Sequence, residues 1–109
     1  MKGGISVNHR CSVVVSHVAA LLRDLRAAGI LDEFSVDDKL KFIELDGNIV
    51  KKATLEISQE KQFDRKTLDA TIKDLFENMS MNVDVSKAYV ETNLGFDRDK
   101  HVLVYVISV

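Results

Sequence analysis

The chain has 109 residues, 46% of them hydrophobic and 29% charged, and its 15 basic and 17 acidic side chains leave a net charge of -2. That length fits one domain around one core, residues 1–109, and the apolar share is too high for a disordered segment. So near-neutral a balance supplies no field for drawing in phosphate backbones, which disfavours general nucleic-acid binding.

In "HRCSVVVSHVAALLRDLRAAG" the apolar residues Cys11, Val14, Val15, Val18, Leu21, Leu22, Leu25 and Ala28 recur at three- and four-residue spacing, the period of a one-sided helix. Three consecutive valines oppose a helix by about 2 kcal/mol in all, whereas each buried aliphatic side chain returns about 1.5–3 kcal/mol. A helix over residues 8–28 is expected, with Asn8 or Ser6 as its cap, Gly29 as its stop and residues 1–7 as a flexible lead-in.

"ILDEFSVDD" is then expected as a short strand, with Phe34 and Val36 on one side. In "KLKFIELDGNIVKKATLEIS" the pair Asp46-Gly47 lies between two strand-like runs and suits the positive φ of a tight hairpin turn. The second arm alternates Ala53, Leu55 and Ile57 with Lys52, Thr54, Glu56 and Ser58, so one face is dry and the other wet.

"FDRKTLDATIKDLFENMS" predicts a second helix over residues 64–79. Asp64 caps it, Phe63 staples onto Leu68, and the apolar stripe is Leu68, Ile72, Leu75, Phe76 and Met79. Asp69 with Lys73, and Lys73 with Glu77, are spaced as surface ion pairs. The remainder reads as a closing hairpin that turns near residues 97–100, with a bulge near Ser86 and Lys87 where the alternation changes phase.

The last strand is apolar on both sides. Val102, Val104 and Val106 share one face, and Leu103, Tyr105, Ile107 and Val109 the other. If both helices pack on one face of a single sheet, the opposite face needs another cover. A second copy is the commonest cover. The expected fold is therefore α+β: an antiparallel sheet of four to five strands with two amphipathic helices, in the order α-β-β-β-α-β-β. The expected interface residues are Val102, Val104, Tyr105, Val106 and Ile107.

Reactive constellations are missing. No G-x-G-x-x-G, G-x-x-x-x-G-K-[ST] or G-x-S-x-G occurs, so the loops that cradle phosphates and the strained serine elbow have no counterpart. On a helix His9 and Cys11 diverge by about 200°, and His17 lies roughly two turns beyond His9, which suits neither a zinc site nor an activated thiolate. Cys11 falls on the apolar stripe as a small hydrophobe, and His101 reads as a surface residue. The acidic pairs Asp32-Glu33, Asp37-Asp38 and Asp97/Asp99 lack the glycine and downstream glutamate of a calcium loop. No catalytic residue, metal or cofactor is expected.

A lone cysteine fits a reducing, cytoplasmic setting, and no stretch approaches the roughly 18 apolar residues of a membrane span. The chain has no proline, so its sheet edges lack one of the usual blockers of edge-to-edge pairing. The expected element order is similar to that of type III secretion chaperones, small acidic homodimers that hold an extended partner segment. That likeness is one of order and assigns no residue.

The expected function is that of a small non-enzymatic interaction or regulatory protein, a homodimer that binds a protein partner through sheet surface or an edge strand. Its alternative is a small-ligand binder or enzyme with a pocket between sheet and helices, lined by several of Phe34, Phe42, Phe76, Tyr89 and Tyr105. A third reading is weak nucleic-acid binding through Lys51, Lys52, Arg65 and Lys66.

Overall fold

The computed structural model describes residues 2–47, 49–93 and 98–109, with side chains from Val13 onward apart from Asn93. Along the chain run α1 (Lys2–Ala27), β1 (Asp37–Asp46), β2 (Ile49–Gln59), α2 (Arg65–Glu77), β3 (Asn82–Asn93) and β4 (Arg98–Ser108). The four strands form one antiparallel sheet in the order β1-β2-β4-β3. The fold is α+β, with two helices and a sheet at the lower end of the expected strand count.

The valine run is helical. Val14, Val18, Leu22 and Leu25 are buried, while Val13 and Val15 are exposed, so a narrow stripe outweighs the β-branched residues around it. The helix starts at Lys2 rather than near Asn8. Val7 extends the apolar spacing one turn back from Cys11, and no proline interrupts it.

Residues 30–36 are turns rather than a strand, and "ILDEFSVDD" gives β1 only Asp37 and Asp38. Hydrogen bonds to Asp32 and Ser35 side chains hold this segment in place of a ladder. In the first hairpin Asp46 pairs with Ile49, and Gly47 has φ of 59°. Gly47 thus has the expected positive φ, whereas Asp46 belongs to β1 rather than to the turn; residue 48 lies outside the described residues. The bulge falls between Val85 and Lys87 as expected. β3 runs to Asn93 and β4 begins at Arg98, so residues 98–100 of the expected turn lie in a strand, and Asp97 lies outside the described residues.

Both helices end in the same way. Gly29 and Ile30 donate to the carbonyls of Arg26 and Leu25, and Ser80 and Met81 donate to those of Glu77 and Phe76. This is the Schellman pattern, which puts one residue in the left-handed region. Gly29 sits there at φ 76° without cost, but Ser80 sits there at φ 60°. A side chain costs roughly 1 kcal/mol in that region. Ser80→Gly is therefore expected to raise the unfolding free energy by about that amount in urea titration, with an unchanged m value.

The core lies on one face of the sheet. Leu55 and Ile57 of β2 and Leu103, Tyr105 and Ile107 of β4 meet Val14, Val18, Leu22 and Leu25 of α1 and Leu68, Ile72 and Phe76 of α2 in one cluster. Asp64 caps α2 by accepting the Thr67 N–H at 3.3 Å, and Phe63 packs against the same core. Because both helices feed this cluster, neither covers the other face.

Candidate functional site

The uncovered face follows from the register. Ser58, Val102 and Tyr89 lie side by side across β2, β4 and β3; so do Glu56, Val104 and Lys87, and so do Thr54, Val106 and Asp84. All nine point away from the helices, because Leu55, Tyr105 and Val85 occupy the alternate row. A valine column thus runs up the middle of the sheet between polar columns.

Long neighbours shield part of it. Val102, although no helix lies over it, is only 4% exposed, and Val104 and Val106 are half-buried. Flanking Lys, Glu and Tyr side chains can lay their stems along apolar surface while their polar ends stay wet. Tyr89 remains 43% exposed. At the Val102 end lies a hollow of about 320 Å³, lined by Asp37, Lys39, Glu56, Tyr89, Glu91 and Lys100 among others. Its mixed signs suit a protein surface of alternating charge better than an anion of one sign.

Of the five expected interface residues, the structure places Val102, Val104 and Val106 on this face and turns Tyr105 and Ile107 under the helices. Tyr105 is 1% exposed, and its hydroxyl donates to Asp69 Oδ1 at 2.6 Å. Asp69 also accepts from Arg65 Nε and Nη2 at 3.1–3.2 Å. Burial first, and the neighbouring carboxylate second, push the Tyr105 hydroxyl far above the usual tyrosine range. The same carboxylate raises Arg65 through its hydrogen bonds. This chain of contacts fastens β4 to α2, so Tyr105 and Ile107 are withdrawn as interface residues. Period-two alternation separates the two faces but does not say which one the helices choose.

The expected aromatic pocket does not assemble. Phe76 and Tyr105 lie in the core, Phe42 is half-buried against it, Tyr89 is on the opposite face, and Phe34 stands 91% exposed on the α1–β1 loop. A separate hollow of about 350 Å³ lies between α1, the start of β2 and the end of α2, lined by Val14, Ile49, Val50, Met81 and Val109 among others. The basic residues do not converge either. Lys51 and Lys52 are near the start of β2, Arg65 and Lys66 follow its far end, and Arg65 is engaged by Asp69. His9 and Cys11 have side chains outside the described part, and His17 is exposed. Among the described residues no group of three His, Cys, Asp or Glu side chains is placed to hold a metal ion. No helix among them is long and apolar enough to cross a membrane.

Gln59 is a polar side chain at a position that the alternation of β2 gives to the core. It closes the dry row of β2 after Ala53, Leu55 and Ile57 and is fully buried. Its amide accepts the Asp32 N–H at 2.9 Å and donates to the carbonyls of Lys61 at 2.9 Å and Gln62 at 3.3 Å. Beside it the Ser35 hydroxyl donates to Asp32 Oδ2 and accepts the Glu60 N–H. The Ser35 hydroxyl, and then the Phe34 N–H, hold the Asp32 carboxyl below the usual carboxylate range. The signal was available: a glutamine in a row otherwise filled by aliphatic residues.

No family model, curated protein or solved structure matches the chain.

Proposed function

We propose that the protein is a small non-enzymatic interaction or regulatory module, a homodimer that holds a protein partner against its sheet. One observation carries the partner surface: both helices pack on the Tyr105 side, so the column Val102, Val104 and Val106 has only flanking side chains over it. The homodimer is supported by the exposed outer strand β3 of a chain without proline. An apolar centre with a charged margin is the usual layout of a protein-binding surface. Partner binding would cover Val104, Val106 and Tyr89, with Lys39, Glu56, Lys87 and Glu91 at the margin.

Two measurements test it. Light scattering is expected to give twice the chain mass of 12.2 kDa, and a monomer throughout the micromolar range overturns the homodimer. Phage-displayed random twelve-residue peptides selected on the immobilised protein are expected to bind the native chain and to lose at least tenfold in affinity on Val104→Asp with an unchanged circular dichroism spectrum. Failure to enrich any peptide, or equal binding to the variant, overturns the partner surface.

A further inference from the structure

We propose that the second copy joins at the β3 edge, antiparallel, with the two-fold axis through Tyr89; this rests on the homodimer reading above. β3 is an outer strand of the sheet. After its bulge, residues 87–92 are all exposed, with Tyr89 at 43% and Val90 at 51%. The chain has no proline to block such an edge.

Self-pairing of one strand about a two-fold axis allows few registers, because directly opposed residues must share the same hydrogen-bonding phase and the axis must therefore pass through a residue. An axis at Lys87 or Glu91 opposes like charges. An axis at Ala88 or Val90 brings no opposite charges together. An axis at Tyr89 sets Lys87 against the partner's Glu91, and Glu91 against the partner's Lys87. The same register sets Ala88 against the partner's Val90 on the helix side of the sheet, and tyrosine against tyrosine on the open side.

The other edge offers no comparable register. Irregular pairing beyond Phe42 confines the straight ladder of β1 to residues 37–42. Within it, axes at Asp38, Lys39, Leu40 and Lys41 each oppose like charges, which is destabilising across strands. Those at Asp38 and Lys39 also set Asp37 against a lysine, but none is free of a like-charge pair, as the Tyr89 axis is. Charge complementarity therefore selects β3.

The axis of such a pair is perpendicular to the sheet, so the eight strands run continuously and all four helices lie on one side. Both valine columns then share one open surface. This geometry doubles the platform offered to a protein partner.

The test uses charge reversal and cross-linking. Lys87→Glu and Glu91→Lys are each expected to weaken dimerisation by about tenfold or more, and the double exchange is expected to restore it to within about threefold of the native value. In a Cys11→Ser background, Tyr89→Cys is expected to form an intermolecular disulfide on mild oxidation, because directly opposed antiparallel residues have Cα atoms about 4.5–5.5 Å apart. Val90→Cys is expected to remain uncross-linked, since the same register sets its two copies roughly 8 Å apart. A native dimer that ignores both charge reversals and leaves Tyr89→Cys uncross-linked overturns this register while the homodimer stands. A monomeric native chain overturns both.

Discussion

Gln59→Leu is expected to lower the unfolding free energy by about 3 kcal/mol, although leucine nearly conserves the volume and remains buried. The loss would come from polar groups left behind. Gln59 Oε1 accepts the Asp32 N–H, and its Nε2 donates to the carbonyls of Lys61 and Gln62. Through it the α1–β1 loop is tied to the β2–α2 loop at the end of β2, an inner strand. Each hydrogen bond contributes about 1 kcal/mol net, and a donor stranded away from water costs more. Gln59→Glu sharpens the comparison, since it keeps the acceptor for Asp32 but turns a carboxylate toward two carbonyl oxygens. It is expected to be less stable than the leucine variant at pH 7. Urea titration of the three proteins measures the difference, and a loss under 1 kcal/mol for Gln59→Leu would show that the two loops hold without the amide.

Most of the fold is legible because its elements are governed by short periods. The α2 stripe, the Asp64 cap, the β2 alternation and the β3 phase change all lie within about ten residues of sequence, and the structure realises each one. What failed was set by distant contacts. "ILDEFSVDD" has strand-like residues, but residues 30–36 are held as turns by local bonds to the Asp32 carboxylate together with Gln59 accepting the Asp32 N–H and Ser35 accepting the Glu60 N–H. No local pattern encodes partners 27 and 25 residues away. Asp69 is a mixed case: the four-residue spacing expects Lys73 as its partner, whereas it pairs with Arg65 at the same spacing on its other side and accepts from the Tyr105 hydroxyl 36 residues ahead. The uncovered face was half legible for the same reason. Alternation divides Val104 from Tyr105, but only the packing of both helices decides that the valines are the ones left outside.

Tyr105→Phe is expected to flatten a fall in stability that the native protein shows above pH 10. Burial, and then the Asp69 carboxylate, raise the folded-state pKa of Tyr105 above its ordinary value of 10.0. Below pH 10 the hydroxyl is protonated in both the folded and the unfolded chain, and its contribution to stability is fully present. Above pH 10 the unfolded chain loses this proton while the folded chain keeps it, so stability declines by about 1.4 kcal/mol per pH unit as the pH rises toward the folded-state value. At pH 7 the phenylalanine variant lacks the hydrogen bond to a charged partner and is expected to be less stable by about 1.5 kcal/mol. That is the low end for such a bond, because the Asp69 side chain is partly open to water and retains Arg65. The two stability curves should therefore converge between about pH 10 and pH 12, since only the native chain carries the buried phenol. Urea titrations at pH 7, 9, 10 and 11 follow the approach. Curves that stay parallel through pH 11 would mean that Tyr105 ionises as readily in the folded chain as in the unfolded one, and that the contact between β4 and α2 does not hold its proton.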